Sequence, residues 1–529
     1  MNILHSKKFR HGSVSLSLTV AIIAVVILVN AIFSALANKF LWFIDMTAEQ
    51  IYSLTDDAKE LLDTMNQDAE AEIIFCSERD VLEANSTQRY ALYTALDVAD
   101  YCDNVRVRYV DTVTNPSAVN KYKIHTGQDI NSQSVIIASG SECRVYSLSA
   151  LYSYDSSTQE VIGYNGEQRI VSGLLAVTQE EMPVAAVTVN HGEADNPNLM
   201  SLLQLLYETG YEIKEIDLAK EEISDKTRLL VVYDPQSDFK VKNALSDVDE
   251  LAKIDRFMDA RNAMMVFFDH ETPVLPNFEE FLDEWGIAIA RDEEANLLVR
   301  DDENSLDAQS RHNIVGQYVT GQGLGSDITK KLTGTAQKPV AVPKSVVFPF
   351  SSVIRSTYEQ TYINEFEAWA GAYNLNGVQR VSYDVFTASS AAVAMANGVE
   401  LSAKEVEALG LQDPAKVPMS LMKITRETFF DQATNTETYA NLLACASTNF
   451  VTQSALNTSY GNHAVLAYAC SIMGRETVAV SLNCKYFAST EITNVTASEA
   501  NQYTVVLTVV PAAIIFVVGV YFMVRRRYA

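Results

Sequence analysis

The sequence predicts an α/β protein with a parallel sheet at its centre. Two observations carry this. Short runs such as Val184–Val189 and Leu229–Tyr233 are apolar along their whole length, as strands buried on both faces must be. Amphipathic stretches separate such runs, and strand–helix–strand is the order in which parallel strands are joined. A third observation sets the frame. Leu16–Ala37 and Val505–Val524 are almost wholly apolar, and each is about as long as a helix that crosses a bilayer.

The flanks of these two runs orient the chain. Lys7, Lys8 and Arg10 precede the first, and Arg525, Arg526 and Arg527 follow the second. Positive residues stay on the cytoplasmic side, so both termini are expected inside and residues 38–502 outside. The first run has a competing reading as a cleavable signal peptide, with Ala35-Leu36-Ala37 as the cleavage site. Its length exceeds the usual apolar core of roughly 7–15 residues, which favours an uncleaved anchor. All 67 acidic residues lie between the two runs, whereas only the six basic residues just named, of 40, lie outside that segment. So acidic a surface repels nucleic acid and anionic headgroups.

Seven segments follow. A cytoplasmic N-terminus (1–13) leads into a first transmembrane helix (14–37). Residues 38–178 and 179–380 are two α/β domains, and 381–502 is a membrane-proximal mixed region. A second transmembrane helix (503–524) and a short tail (525–529) complete the chain.

In the first domain, Thr55 is placed to cap a helix with Leu61, Leu62 and Met65 on one face. Glu72–Cys76 reads as a strand, Glu83–Tyr101 as a helix and Val105–Asp111 as a strand. Pro116–His125 opens on a proline and reads as a helix. Ser134–Ala138 and Cys143–Leu148 flank the turn Ser139–Glu142, and Glu167–Thr178 reads as a closing helix. Strand–helix–strand–helix–hairpin is the thioredoxin-like order. The redox motif of that fold is absent: Cys76 has no partner two residues on.

In the second domain, Val184–Val189 is followed by the turn Asn190–Glu193. Asn196-Pro197 starts a helix in which Leu199, Leu202, Leu203 and Leu206 share one face. Gly210 ends it. Tyr211–Leu218 and Leu229–Tyr233 are strands. Ser246–Asp249 resembles a capping box with Asp in place of Glu, opening a helix with Val248, Leu251, Ile254, Phe257 and Met258 on its apolar side. Ala263–Asp269, the helix Phe278–Trp285 closed by Gly286, and Ile287–Ala290 extend the sheet to at least five strands. The order is flavodoxin-like or glutamine-amidotransferase-like. Gly321-Gln322-Gly323-Leu324-Gly325 lacks the dinucleotide-binding spacing and reads as a loop.

Several of these short stretches resemble one family together. Asp45-Met46-Thr47 with Tyr52-Ser53-Leu54, then His191-Gly192-Glu193, Gly210-Tyr211, Asp217-Leu218 and Asp234-Pro235, are similar in order to the ectodomain of the membrane-anchored auxiliary subunit of gliding-motility-type ABC transporters. Asn190 departs from it, standing where that family usually has Gly. The resemblance implies a non-enzymatic subunit beside an ABC permease and ATPase in the cell membrane, whose outer part binds substrate or an envelope partner.

His191, Gly192, Glu193 and Asp195 are the candidate binding residues. They follow the first strand, at the carboxyl edge where open α/β sheets hold ligands. A catalytic reading makes His191 a base oriented by Glu193, as in a membrane-tethered hydrolase. The bland reading is a turn whose side chains cap backbone or face a partner. A site needs a nucleophile or metal as well. The chain has no Gly-x-Ser-x-Gly, no P-loop, and no cysteine between Cys143 and Cys445. Six cysteines show no paired metal spacing, and Cys76–Cys102 or Cys470–Cys484 disulfides compete with free buried thiols. No cofactor is expected. Asp269-His270-Glu271 is a second polar cluster, read as a solvated loop. A free-standing envelope receptor or scaffold is the remaining alternative.

Overall fold

The structure is a computed structural model. It describes residues 50–487 apart from short internal segments, the longest of them 475–481, together with residues 24, 25, 27–29, 32 and 525. Most of the two apolar runs, the Asp45-Met46-Thr47 stretch and Asp195 lie outside the described residues. Val25, Ile27, Leu28, Val29 and Ile32, from the first run, are helical and more than half exposed. Among the described residues no helix is long and apolar enough to cross a membrane. Residues 1–485 and 486–529 form two separate units.

The architecture is mixed α/β, with one smaller and one larger sheet. Helix α1 (Asp56–Asp63) is capped by Thr55, whose hydroxyl accepts from the Ala58 amide, and it buries Ala58 and Leu62. Strand β1 (Ala71–Phe75), helix α2 (Arg89–Tyr101), β2 (Val105–Tyr109), β3 (Ser134–Ser139) and β4 (Glu142–Ser147) follow. The sheet order is β2-β1-β3-β4, with only β1 and β2 parallel. Helix α3 (Gly166–Thr178) covers this sheet and is almost entirely buried. The single helix expected over 83–101 is two pieces, Arg79–Ala84 and α2. The Asn85 side chain accepts from the amides of Thr87 and Gln88, and that local turn outcompetes the helical bonds.

The larger sheet begins with β5 (Val184–Thr188). Helix α4 (Leu199–Glu208) leads to β6 (Glu212–Ile216), then comes β7 (Thr227–Tyr233). Helix α5 (Glu250–Asp259) leads to β8 (Ala263–Phe267), and helix α6 (Pro276–Glu284) to β9 (Ile287–Ile289). Gly210, at φ +111°, ends α4 as its spacing predicts. Asn196-Pro197 lies one turn ahead of α4 proper, because Asn196 accepts from the Asn198 amide and forms a turn there. Asp249, not Ser246, caps α5: its carboxylate accepts from the Ala252 amide, and the Ser246 hydroxyl serves Val248 instead.

β9 does not become the fifth parallel strand. It pairs antiparallel with β10 (Ile354–Ser356). The fifth parallel strand comes from much further on. The later strands are β11 (Trp369–Leu375), β12 (Val378–Thr387), β13 (Ser420–Asp431) and β14 (Thr436–Cys445), and β14 lies parallel to β8 with Phe267 opposite Cys445. The parallel strands therefore run β6-β5-β7-β8-β14, continued by antiparallel β13, β12 and β11. A boundary at 380/381 falls inside β12.

Strand alternation fills both sides of this sheet. Val187, Val231, Met265 and Leu443 face Leu202, Leu206 and, on helix α8 (Asn462–Met473), Val465 and Leu466. Ala186, Val232, Val266 and Leu442 face Ile254, Phe257, Phe278 and Leu282 of α5 and α6. The glycine-rich stretch at 321–325 is not a loop throughout: Gly323 precedes helix α7 (Leu324–Thr333), and a Cβ on Gly325 would stand 2.0 Å from the Asp384 carbonyl oxygen. That close approach, not phosphate binding, accounts for the glycine.

One buried clasp joins the two ends of the described body. Lys485 Nζ donates to the Gln50 and Ser53 carbonyls at 2.8 and 2.9 Å and pairs with Glu167 Oε2 at 3.1 Å. Glu167 also accepts from the Thr55 amide at 2.8 Å. Lys485 and Glu167 are 3% and 2% exposed, so the clasp is sealed from water.

Candidate functional site

The carboxyl ends of β5 and β7 are where the strand order reverses, because β6 lies on one side of β5 and β7 on the other. Open α/β sheets leave a crevice at such a point. Here the chain fills it with its own turn. The amides of Gln236 and Ser237, after β7, donate to the His191 carbonyl at 2.7 and 3.1 Å. Gly192, at φ +95°, brings the two turns together: a Cβ there would meet Gln236 Cβ at 2.9 Å.

His191 points inward and is held on both nitrogens. Nδ1 lies 3.2 Å from Glu193 Oε1 and Nε2 lies 3.1 Å from Glu250 Oε2. Its ring stacks on Phe239 with centroids 3.7 Å apart. Glu193 accepts from the Thr188 hydroxyl at 2.5 Å and the His191 amide at 2.7 Å. Glu250 accepts from the Lys240 amide and the Asn190 side chain, each at 2.7 Å. His191 is 2% exposed and both glutamates are fully buried. Burial pushes the His191 pKa down, but Glu193 and Glu250 outweigh it and the net shift is upward. Burial likewise pushes Glu193 up, and His191 with Thr188 more than offset it, leaving it below the usual carboxylate range.

This arrangement is an imidazole clamped between two carboxylates. Neither ring nitrogen is left to take a proton from a substrate, so the geometry does not supply a general base. Sequence reasoning brought His191 and Glu193 together but missed Glu250, which enters from the first residue of α5. It also passed over Asn190, whose side chain ties Glu250 to the amide of Leu218. Asn190 thus has a structural role. The one available signal was a glutamate directly after a helix cap.

β14 brings a cysteine to the same edge that the domain boundary had excluded. Cys445 is fully buried, and burial pushes its thiol far above the ordinary range. It is no nucleophile. Cys76, Cys102 and Cys143 are also buried thiols without a disulfide. Asp269 is buried and accepts from the Thr448 hydroxyl and the Glu271 amide, which makes it part of the packing rather than a solvated loop. Among the described residues no group of three or more His, Cys, Asp or Glu is placed to hold a metal ion.

A second polar cleft, of about 150 Å³, lies between α3, α4 and α8 and is lined by Arg169, Glu208, Tyr460 and His463. Arg169 Nη1 pairs with Glu208 Oε2 at 2.6 Å, and His463 Nε2 stands 3.8 Å from the same oxygen. Burial pushes the Glu208 carboxyl up, but Arg169 and His463 outweigh it and hold it at about 2. Its folded pKa is depressed, so its contribution is present above the ordinary carboxylate pKa and is lost as pH falls towards 2. We expect Glu208→Gln to cost about 2–3 kcal/mol at neutral pH. The gap to wild type should close on acidification from about pH 4.5 to 2. Denaturant melts across that range check this, and a gap independent of pH would rule it out.

No protein-family model and no curated protein matches this chain. Among solved structures it is similar to the Cytoplasmic Protein STM3548 from Salmonella typhimurium, at 9% identity and a TM-score of 0.27, over 56% of this chain and 100% of that one. A likeness at that level bears on neither fold assignment nor function.

Proposed function

We propose that this chain is a non-enzymatic auxiliary subunit of an ABC transporter. In this reading two membrane helices anchor it beside the permease and ATPase, and the outer body binds substrate or an envelope partner. The observation that carries the reading is the Lys485 clasp. It holds residue 485 against residues 50–53, so the chain enters and leaves the body at one place. A body carried on two adjacent spans requires that; a body tethered at one end does not. The sheet order β2-β1-β3-β4 supports a thioredoxin-like first domain, and β6-β5-β7-β8-β14 supports a flavodoxin-like second one. The clamp on His191 weighs against the hydrolase alternative. It also moves the binding role from the His191 and Glu193 side chains to the rim around Gly192, where the turn meets Gln236.

Extraction of the tagged full chain in mild detergent tests this. A P-loop ATPase and a multi-span permease should co-purify in fixed ratio. Recovery of the chain alone, or with soluble proteins only, would overturn the proposal.

A further inference from the structure

A pocket of about 390 Å³ opens beside the short strand β10, against β12 and the start of β13. That is within the size range of small-molecule sites, which are mostly apolar with a few placed polar groups. Its apolar lining includes Ile354, Leu411, Val417, Pro418 and Met419. Two polar groups in it are unusual.

Arg355 lines the pocket half-buried, and among the described residues no carboxylate or carbonyl pairs with its guanidinium. Other partly buried arginines here do find partners: Arg261 and Arg380 grip Glu427 at 2.5 and 2.8 Å, and Arg291 holds Glu279. Ser420, which also lines the pocket, is 6% exposed, and among the described residues its hydroxyl has no hydrogen-bond partner. A buried polar group without a partner costs about 1–3 kcal/mol, so such groups are usually met by something. Among the described lining residues the carboxylate is Asp384, which pairs with Lys423 Nζ at 2.6 Å, deep in the sheet. It therefore does not repel an anion. The Ser356 and Tyr358 hydroxyls in the lining donate to backbone carbonyls, so among the described residues the Arg355 charge and the Ser420 hydroxyl are left facing an apolar wall.

We propose that this pocket binds a small monocarboxylate with a branched or short aliphatic body. The carboxylate lies against Arg355, whose planar fork matches it in two parallel hydrogen bonds. The Ser420 hydroxyl donates to the same group, and the aliphatic body lies along Leu411, Pro418 and Met419. Neither the His191 turn nor the transport reading enters the argument, so each stands or falls separately.

The test uses the full chain in detergent with 4-methylpentanoate as probe, followed by ligand-observed NMR. 4-Methyl-1-pentanol and inorganic phosphate are the comparison ligands. A charge-assisted hydrogen bond pair contributes enough for the acid to bind about tenfold or more tightly than the alcohol. Arg355→Met should abolish that advantage, and Ser420→Ala should weaken acid binding about threefold to tenfold. Because the Arg355 guanidinium bonds to no other described residue, Arg355→Met should keep the wild-type melting temperature, and Ser420→Ala, which removes an unsatisfied buried hydroxyl, should keep or raise it. The assignment is overturned by equal acid binding in wild type and either variant, by alcohol binding as well as acid, or by phosphate alone binding. Absence of acid binding up to about 10 mM overturns it too.

Discussion

Replacing His191 by Ala is expected to destabilise the body by about 3–5 kcal/mol at neutral pH, the range for removing one partner from a buried charge cluster. The reason is what stays behind. Glu193 and Glu250 would be two fully buried carboxylates with the imidazole between them gone. Folded domains have only about 5–15 kcal/mol to lose, so the variant should melt far earlier or fail to accumulate. A sign in pH comes with this. The folded pKa of His191 is raised, so its contribution is complete below about 6.5 and is lost as pH rises through the higher folded value. His191→Gln, which keeps a polar side chain but cannot be charged, should thus fall furthest behind wild type at pH ~6, below the unfolded value, and draw closer at pH ~9. Urea titrations of the full chain at the two pH values decide it. A cost below ~1 kcal/mol for the Ala variant would mean that the clamp is not structural.

Breaking the clasp should have the next largest effect, and a more local one. Lys485→Met leaves Glu167 buried with, among the described residues, only Thr55 to satisfy it. We expect a loss of about 3–5 kcal/mol. Amide exchange should accelerate first in residues 50–63, which the clasp and α1 hold in place. The double variant Lys485→Met with Glu167→Leu removes both charges and replaces them with apolar volume. It should recover much of the loss, since a buried pair exchanged whole for hydrophobic groups is often neutral. If the double variant is as unstable as the single one, the carbonyls of Gln50 and Ser53 matter more than the ion pair.

How far the fold was legible depended on how local its causes are. From Val184 to Tyr233 every strand, the helix and its Gly210 stop follow from patterns within ten residues, and all of them are present. The hairpin around Gly140 and the Thr55 cap were equally local. Where two signals competed within a few residues, reading failed: Asn85 breaks a helix that periodicity runs through, and Asp249 takes the cap that Ser246 seemed to own. Where the cause was distant, nothing in the pattern pointed to it. Gly325 is explained by the Asp384 carbonyl, and the fifth parallel strand by a partner beyond residue 435. The site shows the same division. His191 and Glu193 share a turn and were found together, whereas Glu250 meets them only because α5 starts beside β5. Asp234 adds a case of conformation: it holds φ +53° directly before Pro235, a strain that sequence does not announce.

The late arrival of β14 bears on how the chain reaches its folded form. A polypeptide made from its N-terminus completes β8 long before β14 exists, with residues 268–435 still to come. Until then the outer edge of β8 is a row of unpaired amides and carbonyls beside Met264, Val266 and Phe267, which is the kind of edge that recruits other chains. Pairing across so long a separation is also intrinsically slow, because the loop must close before the contacts reward it. Copies that have not yet closed β8 with β14 therefore pass through a state with an open sheet, and it is then that they are most exposed to each other. A holdase that covers the β8 edge would act on this protein chiefly during that interval, and would have little to grip once Cys445 lies opposite Phe267.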